Sequence, residues 1–156
     1  MRIIQANLWL PFEQETEHLI YVITTNRVIR GDQLVMGAGA ARQARDRYPG
    51  LAADCATRIR QLDTADYGCL LVRPPEARSR RPGLAIFQVK RDYRTPADID
   101  LIARSVKGLI TLTVARSGDQ FRLNFPGIGP HTGRLSRALV EPLLYPPPDN
   151  VTICYL

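Results

Sequence analysis

Glycine, small residues and arginine placed close together can hold an anion. The stretch from Leu34 to Pro49 reads LVMGAGAARQARDRYP, with Gly37 and Gly39 bracketing Ala38. Ala40, Ala44 and Tyr48 then recur at i, i+4, i+8, one face of a helix that Pro49 and Gly50 stop. Glycine tolerates positive φ and lets a ligand approach the backbone closely. The N–H groups of a helix start, with the dipole behind them, favour an anion. The first turn carries no Asp or Glu, and Arg42 and Arg45 follow, so nothing here repels a phosphate. A lone G-x-G turn serves equally well to start an ordinary amphipathic helix. A second stretch shifts the balance. Phe125 to Leu135, FPGIGPHTGRL, is also glycine-rich and also leads into a helical pattern. Two such loops suit the two phosphates of one diphosphate.

Those loops need a scaffold that brings them together. Ile3 and Ile4 open a short strand ending near Asn7, and Leu8-Trp9-Leu10-Pro11 leaves it. His18 to Thr25 is a continuous apolar, β-branched run, as in a strand buried on both faces. Asn26 sits at its C-terminal end, where open α/β sheets bind ligands. Arg27 to Gln33 reads as a polar loop leading to the first glycine site. Leu51, Cys55, Ile59 and Leu62 predict a second helix. Cys69–Val72 and Leu84–Val89 read as neighbouring strands, joined by the exposed loop RPPEARSRRPG with its cluster Arg78, Arg80, Arg81. Thr95 has the pattern of an N-cap, with Pro96 at the first helical position and Asp98 three residues after the cap. Ile99, Ile102, Val106, Leu109 and Ile110 form the stripe of the longest helix. Gln120–Asn124 is a strand feeding the second loop. Leu135, Leu139, Val140 and Leu143 predict a last helix, closed by Pro142 and Pro146-Pro147-Pro148, before a final strand, Val151–Tyr155. The order β-β-α-α-β-β-α-β-α-β predicts an α/β fold, a three-layer α/β/α domain around a central mixed sheet. Both glycine loops follow strands and should meet at one edge of it.

At 156 residues the chain is most economically a single domain, 1–156. A hydrophobic fraction of 45% and a charged fraction of 23% are those of an ordinary globular protein. The net charge of +6 draws in an anionic ligand or polymer. The three cysteines, Cys55, Cys69 and Cys154, are odd in number and sit in apolar company, as reduced core thiols do in a cytoplasmic protein. No apolar run is long enough to span a membrane, and the N-terminus lacks a signal-peptide pattern. With His18 and His131 the only histidines, no zinc-ligand spacing exists, and no cofactor is called for.

A GxxxxGK[ST] phosphate loop is absent, and the third glycine of a dinucleotide fingerprint is replaced by Arg42. MGAGAARQARDRYP, a strand ending in Lys90, then FPGIG, GRL and a closing strand together resemble the macro domains, the ADP-ribose-binding fold. The likeness is to the branch holding terminal ADP-ribose glycohydrolases, antitoxin macro domains and many phage and bacterial members. It implies that Asn7 and Leu8 lie by the adenine, Asn7 standing where the family has an Asp. It implies Asn26 near the distal ribose, Met36, Gly37, Ala38, Gly39 and Ala40 as the first phosphate-binding loop, and Ile128, Gly129, His131, Thr132, Gly133 and Arg134 as the second. Pro130 has no N–H to donate. Lys90 falls where the glycohydrolase subgroup keeps a catalytic lysine, whose amine attacks C1″ of an ADP-ribosyl ester. Such a lysine needs a depressed pKa, from burial or neighbouring positive charge such as Arg91. The subgroup's Asp just before the Arg-Leu is here Gly133, and His131 is the candidate acid or base in its place.

The chemistry implied by this resemblance is hydrolysis of ADP-ribose from protein or nucleic acid, an ADP-ribosyl glycohydrolase activity. The partner would be ADP-ribose or an ADP-ribosylated macromolecule. Two alternatives stand beside it. One is an ADP-ribose reader with the same pocket and no turnover. The other is a basic nucleic-acid-binding α/β domain working through Arg78, Arg80, Arg81 and the arginines of the 42–47 helix, a cluster that solvent alone can also account for. The sequence sets no oligomeric state.

Overall fold

The computed structural model describes residues 2–9, 18–76, 78–79, 81–145 and 148–156. Leu10, Pro11, Arg80, Pro146 and Pro147, named above, lie outside them. The strands are β1 (Arg2–Gln5), β2 (Leu19–Thr25), β3 (Ile29–Arg30), β4 (Gln33–Leu34), β5 (Cys69–Arg73), β6 (Gly83–Gln88), β7 (Gln120–Asn124) and β8 (Val151–Tyr155). The helices are α1 (Gly39–Arg47), α2 (Leu51–Arg60), α3 (Ile99–Ala115) and the single turn α4 (Arg137–Val140). Six strands form one sheet in the order β1-β8-β7-β2-β6-β5. All its neighbours pair in parallel except β5 with β6, so the sheet is mixed.

The β2 run is apolar on both sides because both sides are covered. Leu19, Tyr21 and Ile23 pack on one core with Ala41 and Ala44 of α1 and Leu51, Cys55 and Ile59 of α2. Ile20 and Val22 face the other core, with Ile102, Val106 and Leu109 of α3. The period of two in the strand and of 3.6 in the helices gives the three layers. Side chains fully buried this way, such as Phe87, Phe121 and Ile102, each contribute about 1.5–3 kcal/mol. Cys55 and Cys154 are buried free thiols and Cys69 is a half-buried one.

Three expectations change. Arg27–Gln33 is not a plain loop but contains the hairpin β3–β4, turned at Gly31, whose φ is +63°. Two-residue strands of mixed polarity carry too little pattern to be read. The α3 cap is Asp98 rather than Thr95. Its Oδ1 accepts from the N–H groups of Asp100 at 2.9 Å and Leu101 at 3.2 Å, while the Thr95 hydroxyl donates to the Asp92 carbonyl. The last helix is broken, one α turn followed by a 3₁₀ segment, Glu141–Leu144, because Pro142 has no N–H with which to continue it. Leu135 stands before it, in the second glycine loop.

Candidate functional site

Leu34 and Met36, each 2% exposed, anchor the first glycine loop in the core. Ala38 is extended, and Gly39 turns the chain into α1 at φ +57°. No side chain caps α1 and no acid sits in its first turn, so the N–H groups that a helix start leaves unmatched are open to an anion. Small residues at Ala41 and Ala44 bring the helix down onto the sheet.

The second loop is closed on itself. The N–H groups of Thr132 and Arg134 donate to the Gly129 carbonyl at 3.3 and 2.8 Å, and that of Leu135 to the Gly127 carbonyl at 2.9 Å. Thr132 and Arg134 therefore spend the backbone donors that a phosphate was expected to use. Arg134 itself holds φ +61°, rare for a residue with a side chain. The Gly133 carbonyl accepts from the Ala97 N–H at 2.8 Å, which ties the loop to the start of α3.

The two loops meet, as the topology required. A Cβ added at Gly39 would lie 3.5 Å from the Thr132 methyl. Between them is a cavity of about 360 Å³, within the range of small-ligand sites. Asn26, Gly37, Ala38, Gly39, Ala40, Lys90, His131, Thr132 and Gly133 all line it. Met36 lies beneath it in the core, and Ile128, Gly129 and Arg134 are not among its lining residues. Asn7 and Leu8 do not line it either. The Asn7 carboxamide accepts the Trp9 N–H at 2.9 Å, and Leu8 is buried in the core.

Asn26 is fastened at both ends of its amide. Nδ2 donates to the Val35 carbonyl at 2.9 Å and Oδ1 accepts from the Val28 N–H at 2.6 Å, so it clamps the base of the β3–β4 hairpin. This leaves one N–H for a ligand.

Lys90, 7% exposed, is the deepest cation of the cavity. Its Nζ donates to the Thr132 carbonyl at 2.7 Å and to the Thr95 carbonyl at 3.1 Å. Burial, and then the charge of Arg134, pull its pKa below the ordinary lysine value, against the opposing pull of Asp92. Arg91 plays no such part, because it pairs with Asp66 at 2.8 Å and Asp98 at 3.3 Å. A neutral amine giving two hydrogens to two carbonyls has its lone pair left to attack.

The missing carboxylate has a steric cause. A Cβ at Gly133 would stand 2.1 Å from the Gly127 carbonyl oxygen and 2.5 Å from its Cα, where two stretches of backbone press together. Gly133→Asp is therefore expected to disrupt the loop rather than supply an acid, lowering stability by about 3 kcal/mol or more. Chemical denaturation of Gly133→Asp beside the parent checks it.

Sequence reasoning missed several lining residues, among them Thr24, Thr25, Arg30, Tyr93 and Gly127. Thr25 was within reach, being next to Asn26, and its buried hydroxyl has no partner among the described residues. Tyr93 stands three residues after Lys90. Arg30 reaches the cavity only through the hairpin.

No family model matches the sequence, and no curated protein matches it. Solved structures do. The macrodomain of Mycobacterium tuberculosis DarG superposes with a TM-score of 0.72 at 20% identity, over 98% of this chain and 96% of that one. The macrodomain of Thermus aquaticus DarG gives 0.71 at 19% identity, over 99% and 97%. Thermosipho africanus DarTG in complex with ADP-ribose gives 0.69 at 18% identity, over 88% of this chain and 38% of that one. At these identities the likeness is one of fold, and it spans nearly the whole chain.

Proposed function

We propose that this chain, which has the macrodomain fold, binds ADP-ribose in the cavity between its two glycine loops and releases it from an ester through Lys90. The observation that carries this reading is a buried lysine of depressed pKa on the floor of a cavity rimmed by an uncapped helix start. The diphosphate would sit on the first-turn N–H groups of α1 and on those of His131 and Gly133 in the opposite loop. The terminal ribose would then lie by Asn26 and Lys90. Nζ attacks C1″, a C–N bond forms, and the C–O bond to the acyl group breaks. The carboxylate departs with the electron pair, and the nitrogen loses a proton to solvent. Water then cleaves the C–N adduct, giving ADP-ribose and the free amine. A carboxylate leaves without protonation, so the absence of an acid at Gly133 is tolerable for an ester.

A specific observation also supports the reader alternative. The two carbonyls on Lys90 give it a structural role that needs no chemistry. Nucleic-acid binding has less support, since in the 42–47 helix Arg45 pairs with Asp46 and the Arg47 guanidinium lies 4.8 Å over the Trp9 ring.

Calorimetric titration tests the binding. ADP-ribose is expected to bind more tightly than AMP, which lacks the second phosphate and terminal ribose. Asn26→Ala is expected to weaken it by about 1 kcal/mol or more. Equal affinity for AMP and ADP-ribose would remove the terminal ribose from this cavity.

A further inference from the structure

Tyr93 stands at the mouth of the cavity, and two separate parts of the chain hold its ring. On one side the hairpin brings Arg30, whose Nη2 donates to the Tyr93 hydroxyl and whose guanidinium lies 5.3 Å from the ring centroid. That hairpin is fixed at its base by Asn26 and at its turn by Arg60, which donates to the Gly31 carbonyl at 2.6 Å. On the other side the turn after Lys90 is fixed by Asp92, which accepts from the Arg94 N–H at 2.8 Å and from its guanidinium at 2.7 Å. The Arg94 guanidinium is itself 5.7 Å from the ring centroid. Tyr93 thus carries the one benzene ring among the described lining residues, and it is held before any ligand arrives.

Its position tells what it would meet. Lys90 is buried on the floor, whereas Arg30 and Arg94 beside Tyr93 are exposed. A terminal ribose within reach of Nζ has its C1″ substituent leaving past this rim. We infer that Tyr93 is a specificity-determining residue that stacks on a flat, delocalised group carried at C1″, with Arg30 as the positioning residue that orients the ring. This rests on the ADP-ribose reading above. A π face with cations beside it favours a planar group over a compact saturated one.

Competition binding with three probes tests it: free ADP-ribose, its 1″-O-methyl glycoside and its 1″-O-phenyl glycoside. The parent is expected to favour phenyl over methyl by about tenfold, the scale of one stacked ring. Tyr93→Ala removes that preference and leaves free ADP-ribose within about twofold. Tyr93→Phe keeps most of it, and Arg30→Ala gives an intermediate value. Tyr93→Leu, with bulk but no π face, gives the same comparison if the alanine variant does not fold. A parent without the preference, a preference that survives Tyr93→Ala and Tyr93→Leu, or an equal loss for free ADP-ribose overturns the role of Tyr93 alone. A parent that binds none of the three probes overturns the ADP-ribose reading and this one with it.

Discussion

Gly37→Glu is expected to abolish ADP-ribose binding in a protein that remains folded. A Cβ at Gly37 meets nothing within 4 Å, and its φ is not in the left-handed region. The new side chain therefore enters open cavity space without backbone strain. Its carboxylate then competes for the donors that the diphosphate would use and repels it. Two unit charges about 4 Å apart cost roughly 1 kcal/mol in water and about 4 kcal/mol in a partly shielded site. Two phosphates are affected, so affinity should fall by about 100-fold or more. Gly39→Glu is a poorer choice, because φ +57° strains any side chain there whatever the ligand does. Titration of the variant with ADP-ribose, with a melting curve to verify folding, decides the matter. A folded Gly37→Glu protein that binds like the parent would place the phosphates elsewhere.

Lys90→Ala is expected to remove ester hydrolysis altogether, by about 10³-fold or more, because no other amine lines the cavity among the described residues. The structure adds a second consequence. Two carbonyls, of Thr95 and Thr132, lose their shared donor, so stability should also fall, by about 1–3 kcal/mol. Lys90→Arg separates the two effects. A guanidinium can still donate to both carbonyls, but it stays protonated and cannot attack. That variant is expected to keep ADP-ribose binding and lose release. The pH profile has a determined sign. Only the neutral amine attacks, so the rate rises with pH and levels off above the pKa of Lys90. Burial and Arg134 lower that pKa, so the plateau comes at lower pH than for an ordinary lysine. Borohydride reduction during turnover should leave added mass on the peptide containing Lys90. Full activity in Lys90→Arg would remove the covalent route, and a parent inactive on ADP-ribosyl esters would leave ADP-ribose recognition alone.

The sequence by itself determined the main strands, the first helices and the two glycine loops, and the reason is local. The β2 run shows its two buried faces in consecutive residues, and α3 shows its buried stripe at i, i+3, i+4. A glycine pair before a helix with no acid in its first turn is likewise a statement about neighbours. Lys90 was read as the last residue of a strand because the apolar run stops there, whereas β6 ends at Gln88 and Lys90 stands two residues beyond it. What it touches was not legible. Its acceptors are the backbone carbonyls of Thr95 and Thr132, five and 42 residues away, and a carbonyl is the same on every residue. The cap of α3 moved from Thr95 to Asp98 for a similar reason. The N–H groups of Ala97 and Asp98 dock on the Gly133 and Val89 carbonyls, which sets where the helix can begin. Gly133 looked like a lost carboxylate, but the approach of the Gly127 backbone leaves no room for one. Arg30 and Tyr93 lie 63 residues apart and meet only because the hairpin folds over the cavity mouth. Periodicity records what a residue does with its near neighbours. The fit of distant backbone groups, which decides donors, space and pKa in this cavity, exists only once the chain has folded.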